Sequence, residues 1–393
     1  MTYLMNTYAR QPVAFSHGDG VWLWDENGKR YLDGLAGIAV NGLGHKHPAL
    51  VSALCEQANQ LIHTANIYQI RRQEQLAERL CQLSAMDNVF FCNSGCEANE
   101  AAIKLARLYG HHKGIALPNI IVMENSFHGR TMATLSATGN RKVQAGFEPL
   151  MTGFVRVPYN DMTAIHHVAE HNADIVAILV EPIEGEGGIQ IPNANYLHQL
   201  RKTCDAHGWL LMLDEVQTGI GRTGKLFAFQ HTDILPDVLT LAKGLGSGVP
   251  IGACLAHGEA ANTFKPGNHG STFGGNPLAC TAGLATLTAL EAADLPANAT
   301  RTGNFLRETF SREFATEPSV LSIRGIGLMI GIELDRPCAT LVARALEQGL
   351  LINVTAERVI RLLPPLIMNL AEAQQLTDIL IPLVRQFLQE NNA

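Results

Sequence analysis

The sequence predicts an α/β chain, with a large unit built on a mostly parallel central sheet and a smaller α+β unit beside it. Three observations carry that prediction. From about residue 88, short runs rich in Val, Ile and Leu alternate with helical segments, the pattern of strands buried on both faces of a parallel sheet. The chain has 393 residues, more than one simple core accommodates. Beyond Pro277 the alternation gives way to a long helical stretch, then to "IRGIGLMIGIEL" and "VIRLLPPLIM" with helices between and after.

The elements follow in order. "GVWLWDENGKRYLDGLAG" reads as a hairpin, because apolar and polar residues alternate and Asn27-Gly28 supplies the turn. The strands of the large unit are "NVFFC", "NIIVM", "ADIVAILVE", "WLLMLDE", "DVLTLA" and "IGACLA". Residues 1–50 are expected to form an N-terminal segment and hairpin belonging to the smaller unit. Residues 51–277 would form the large unit and 278–393 the C-terminal part of the small one. The sequence carries no internal repeat, low-complexity segment or long linker.

Composition narrows the function. Net charge is −7, with Lys and Arg scattered, so there is no basic face for nucleic acid or an anionic membrane. The longest strongly apolar runs, such as "IVAILV", are far too short to span a bilayer. The start, "MTYLMNTYARQPVAF", lacks a signal peptide's basic end and apolar centre. Eight cysteines occur without a Cys-x-x-Cys pair, which suits reduced thiols in a cytoplasmic protein better than secretion or a zinc finger.

Three stretches concentrate the chemistry. In "CNSGCEANEAAIKLARLYG", apolar residues at 98, 101, 102, 105 and 109 mark one helical face. Ser94 and Glu97 fit a capping box that starts the helix. With Gly95 adding no side chain, that helix N-terminus offers free N–H groups and a favourable dipole to a phosphate; an ordinary strand-to-helix turn reads the same way. In "WLLMLDEVQTG", Asp214 and Glu215 follow a buried run at its carboxyl end, where open α/β sheets bind ligands. A buried carboxylate needs donors or a cation, and Asp214 is the better functional candidate. Lys243 is the single charge in "LTLAKGLGSGVPIGA". It is either a lysine snorkelling from a strand end or a desolvated amine suited to Schiff-base formation.

Two motifs fail on context. "GIGRTGKL" matches a phosphate loop, but Leu226 stands where Ser or Thr should meet magnesium. "GLGSG" misses the G-x-G-x-x-G spacing. His45 and His47 have no evident third ligand, so no metal is expected.

The blocks "NSGCEANEAAIKLAR", "FHGRT", "VEPIEGEGG", "DEVQTGIGRTG", "LAKGLGSGVPIGA", "HGSTFGGNPLAC" and "RLLPPL" occur in this order. Together they resemble the class III, ornithine-type aminotransferases, pyridoxal-phosphate enzymes of fold type I, from the hairpin to about residue 370. The resemblance implies that Lys243 holds the cofactor and acts as base then acid, while Asp214 pairs with the pyridinium nitrogen. It implies that Gln217 bonds the phenolic oxygen, and that Val216 and Phe127 cover the two ring faces. Gly95 and Cys96 would give backbone N–H groups to the phosphate, and Thr272 would reach it from the second subunit of a homodimer. Arg130 would grip a substrate carboxylate, with Ser271 nearby. Arg361 would bind the α-carboxylate of 2-oxoglutarate and pair with Glu186 while the amine donor is present. Cys96 departs from the Thr, Ala or Val of many relatives.

"DGLAGIAVNGLGHKHP" and "NTYARQPV" resemble the members that use N2-acetyl-L-ornithine, which implies transfer of its δ-amino group to 2-oxoglutarate in arginine biosynthesis. Gly37 and Ile38 would leave apolar room for an acyl group, with Tyr8 near the same pocket. Succinylornithine, ornithine and 4-aminobutyrate are alternative donors in the same family, and an aminomutase is an alternative reaction.

Overall fold

A computed structural model of the chain describes residues 3–390. Three sheets organise it. The central one has seven strands in the order β4-β10-β9-β8-β7-β5-β6. These are β4 (Asn88–Cys92), β5 (Asn119–Met123), β6 (Phe154–Val157), β7 (Ile175–Val180), β8 (Leu210–Asp214), β9 (Val238–Leu241) and β10 (Gly252–Ala256). Only β10 runs against its neighbours.

All six predicted strands of the large unit form. The sequence reading missed β6. Its residues, "FVRV", lie at the sheet edge with Arg156 exposed, so no continuous apolar run marks them. The middle of the sheet is the opposite case. β7 is "IVAILV", buried at every position, and each of its Ile, Val and Leu side chains contributes roughly 1.5–3 kcal/mol by leaving water.

The hairpin forms as predicted, from β2 (Trp22–Asp25) and β3 (Arg30–Asp33). Gly28 takes φ +80°, a conformation open to glycine, and Asp25 Oδ1 accepts the N–H groups of Asn27 and Lys29 at 2.9 Å each. An extra strand, β1 (Phe15–Asp19), pairs with β2. On its other side β3 pairs in parallel with β13 (Leu350–Leu351), so the first and last parts of the chain share one sheet. The third sheet has the order β11-β12-β15-β14, from β11 (Val320–Ile326), β12 (Met329–Leu334), β14 (Asn353–Thr355) and β15 (Val359–Leu362). Among the described residues no single helix is long and apolar enough to cross a membrane.

Candidate active site

The six parallel strands end on one edge, and a cavity of about 430 Å³ opens there, within the usual range for small-molecule sites. The segments after β4, β5, β7, β8 and β9 deliver its walls. After β4 comes the helix Gly95–His112, which Ser94 caps by accepting the Glu97 N–H at 3.2 Å. The predicted capping box closes only halfway. Glu97 reaches the Asn93 N–H, at 2.6 Å, rather than that of Ser94. Gly95 is needed for space, because a Cβ there would lie 2.6 Å from Val216 Cγ1. The cavity lies against this N-terminus, with Gly95 and Cys96 in its wall.

Asp214 ends β8 with both oxygens engaged. Oδ2 accepts Asn99 Nδ2 at 2.7 Å and contacts His128 Nδ1 at 2.8 Å, and Oδ1 accepts the Val216 N–H at 3.0 Å. Asn99 is fixed in turn by Thr240 Oγ1, which donates to its Oδ1 at 2.7 Å. His128 and Asn99 were not singled out from the sequence, since one lies in a loop and the other reads as a polar residue on a helix. Glu215 turns away. It is buried and takes the N–H groups of Ala228 and Phe229 and the Thr218 hydroxyl, so its role is structural.

Lys243 follows β9 at φ +41°, a left-handed conformation that costs a residue with a Cβ about 1 kcal/mol or more. Its amine has no hydrogen-bond or ion-pair partner among the described residues. Burial, and then the positive charge of Arg361, hold it below the usual lysine range, against the pull of Glu186, Asp214 and Glu181. An amine in this state is more readily neutral and nucleophilic.

Arg361, on β15, is fully buried. Its Nη1 meets Glu186 Oε1 at 2.6 Å and Gln217 Oε1 at 3.4 Å, and its Nε donates to Asn353 Oδ1 at 3.1 Å. Glu186 is partly exposed and its backbone carbonyl accepts the Thr355 hydroxyl. Arg130 is exposed at the cavity mouth, its guanidinium 5.7 Å from the Phe127 ring centre.

The cavity thus gathers Gly95, Cys96, Phe127, Arg130, Glu186, Asp214, Val216, Gln217 and Lys243, with Arg361 bonded to two of them. Ser271 and Thr272 lie outside it. Ser271 Oγ touches the cavity only through Asn93 Nδ2, at 3.3 Å, and Thr272 is exposed. Tyr8 is exposed away from it. The "GIGRTGKL" stretch leads into a short 3-10 turn, Ala228–His231, rather than an α-helix. Its Arg222 donates to the carbonyls of Leu328 and Pro364.

Glu181 and Glu184 were quoted in a sequence block but given no role. Glu181 lines the cavity and is pushed up to about 7 by burial and the neighbouring Asp214 charge. Glu184 is buried with Oε1 unpartnered, and burial with the charges of Glu181 and Glu124 pushes it up to about 9.

A family model described as Aminotransferase class-III matches residues 3–384. The chain is 64% identical over 389 residues to an acetylornithine aminotransferase of Nitrosomonas europaea, covering 99% of each. It is 47% identical to one from Methanothermobacter thermautotrophicus, covering 96% of this chain and 95% of that one. Among solved structures it is similar to N-acetylornithine aminotransferase from Stenotrophomonas maltophilia, with TM-score 0.85, 36% identity and 98% of both chains covered. It is also similar to ornithine aminotransferase from Toxoplasma gondii, with TM-score 0.95 and 35% identity, covering 99% of this chain and 94% of that one. The likeness runs end to end in sequence and in fold, and the chain belongs to the class III aminotransferases.

Proposed function

We propose that the chain transfers the δ-amino group of N2-acetyl-L-ornithine to 2-oxoglutarate, giving N-acetyl-L-glutamate 5-semialdehyde and L-glutamate, with pyridoxal 5'-phosphate bound at Lys243. The observation that carries this reading is one cavity lined together by the unpartnered Lys243 amine, Asp214 and the N-terminus of the Ser94-capped helix. The relatives' names supply the donor.

The residues fit that cofactor. The amides of Gly95 and Cys96 have no acceptor among the described residues, as a phosphate requires. The glycine leaves the approach open. Asp214, Val216 and Phe127 line the cavity, where Asp214 would face the ring nitrogen and the other two would cover the ring faces. When bound, pyridoxal phosphate supplies an electron-poor ring that accepts the charge released as the donor's C–H bond breaks.

The chain's own residues do the rest. Lys243 Nζ would hold the cofactor and serve as the proton carrier, taking the proton from the donor's terminal carbon and later returning one. His128 and Asn99 hold the Asp214 carboxylate aimed into the site. Arg130 holds the donor's carboxylate. Arg361 is neutralised by Glu186 while the donor is present and takes the carboxylate of 2-oxoglutarate when Glu186 swings out. Glu186 is partly exposed, whereas Arg361 is buried and fixed by Asn353.

Two chains share each site in this reading, with Thr272 meeting the phosphate and Ser271 the substrate from the partner. The exposed, partly apolar surface around them, including Ile67, Tyr68 and Phe273, supports a homodimer. The parallel pairing of β3 with β13 supports a small unit made of residues 1–50 and 278–393 around a large unit of 51–277. Free cysteines throughout the described residues support a cytoplasmic setting.

The test is the visible spectrum of the purified protein loaded with pyridoxal phosphate and titrated with N2-acetylornithine, without keto acid. A lysine-bound absorbance that bleaches, and returns with 2-oxoglutarate, supports the proposal. Absorbance that responds only to free ornithine moves the donor to the second reading, which the fold of the Toxoplasma gondii ornithine aminotransferase favours. No absorbance at all overturns the assignment of Lys243.

A further inference from the structure

Two backbone N–H groups on different connections end on one carboxylate. Glu181 follows β7 and is buried. Its Oε1 accepts the Phe127 N–H at 2.9 Å and its Oε2 accepts the Gly185 N–H at 3.1 Å. Phe127 belongs to the connection after β5, which also carries His128 and Arg130. Gly185 belongs to the connection after β7, which carries Glu186.

The second contact leads further. A Cβ at Gly185 would lie 2.5 Å from Gln217 Oε1, so the Gly185 backbone is pressed against the Gln217 side chain. Gln217 Oε1 in turn accepts from Arg361, which holds Glu186. One carboxylate therefore ties a cavity wall to the Glu186–Arg361 pair.

We propose that Glu181 is a positioning residue, a latch whose two oxygens span the connections so that the Phe127 wall and the Gln217–Arg361–Glu186 assembly keep one spacing. This rests on the functional reading above. Span is what matters in it, because each oxygen serves a different segment and, among the described residues, neither amide has another acceptor. The titratable groups that act on the carboxylate through their charge are Asp214, His128, Glu184, Tyr159 and Lys243. Burial and Asp214 oppose the ionised form, and His128 and the two amides favour it. Protonation turns one oxygen into a hydroxyl and removes the charge that strengthens both N–H bonds, so the latch loosens as pH falls through about 7.

The test compares Glu181→Gln, which keeps the length but loses one acceptor, with Glu181→Asp, which keeps the charge but loses the span. Both are studied as the pyridoxal-phosphate-loaded protein. Expected is cofactor absorbance in both variants, with kcat reduced roughly ten- to a hundredfold in both half-reactions, the scale of a misplaced reacting pair. The ionisation near pH 7 in kcat/KM should also vanish in Glu181→Gln. An Asp variant that performs as wild type shows that charge alone matters and overturns the latch, as does an unaltered pH profile in the Gln variant.

Hydrogen exchange on the wild type keeps the test open should the variants not fold. Peptides covering Phe127 and Gly185 should lose protection together between pH 8 and 6, after correction for intrinsic rates. Independent opening overturns the proposal. A wild type that takes up no pyridoxal phosphate sinks the functional reading instead, while the exchange experiment still reads the latch.

Discussion

Glu186 Oε1 lies 2.6 Å from Arg361 Nη1, and the two differ in freedom: the arginine is fully buried, the glutamate about one third exposed. An asymmetric pair of this kind opens from the glutamate side. Substituting Arg361→Leu should raise KM for 2-oxoglutarate about ten- to a hundredfold, the weight of a charge-assisted hydrogen bond, with a much smaller effect on the donor half-reaction. Glu186→Gln should do the reverse, slowing the donor half-reaction and sparing the keto-acid one. Single-turnover absorbance measurements of each half-reaction separate the two.

Lys243→Ala should fold with an unchanged far-ultraviolet spectrum and lose turnover by more than about a thousandfold, since nucleophile and proton carrier disappear together. Steady-state assays checked against added primary amines measure it. Near-normal turnover without amine contradicts the assignment.

Glu184 has no hydrogen-bond donor or cation on its side chain among the described residues. Its folded-state value of about 9 lies above the ordinary glutamate value of about 4.5, so the folded chain keeps a proton that the unfolded chain releases. Stability is therefore lost as pH rises from about 4.5 through about 9, by roughly 3 kcal/mol at pH 7. Glu184→Gln imitates the neutral acid. Its Tm should match wild type near pH 5 and exceed it at pH 8, as melting curves across that range will show. Parallel curves for the two proteins refute the argument.

Cys96 lies in the cavity wall between the hydroxyls of Thr131 and Thr134, at 3.2 and 3.1 Å. The thiols of Cys92, Cys280 and Cys338 are buried and pushed up to about 12, which makes them poor nucleophiles. Iodoacetamide on cofactor-depleted protein should label Cys96 and the exposed Cys55 and spare those three. Loading with pyridoxal phosphate should protect Cys96 alone. Peptide mass spectrometry reads the pattern, and an unlabelled Cys96 with unchanged activity ends the idea.

The legible parts of this molecule were those where burial and sequence order coincide. β7 and β8 carry continuous apolar runs and β9 is buried throughout with only Thr240 polar, and Asp214 and Lys243 stand out because each follows such a stretch at its carboxyl end. The edge strand β6 was invisible because Arg156 interrupts it. His128 and Asn99 could not be found by periodicity, since both earn their place by meeting Asp214 from 86 and 115 residues away. The same holds for Glu181, whose partners are backbone N–H groups that leave no mark on side-chain identity. Motif resemblance named most of the cavity residues, but the contacts among them came only with the fold.

The parallel pairing of Leu32 and Asp33 with Leu350 and Leu351 sets a timetable for synthesis on the ribosome. The partner of β3 is translated 318 residues later (350 minus 32), which at about 5–20 residues per second is roughly 16–64 s. Throughout that interval the newborn hairpin presents an open strand edge with buried-type residues such as Leu32 behind it, the kind of surface that chaperones cover and that crowded nascent chains can pair through. A stop codon anywhere before residue 350 would leave that edge uncovered for good, so truncated products of this chain should be aggregation-prone even when the whole central sheet has been made.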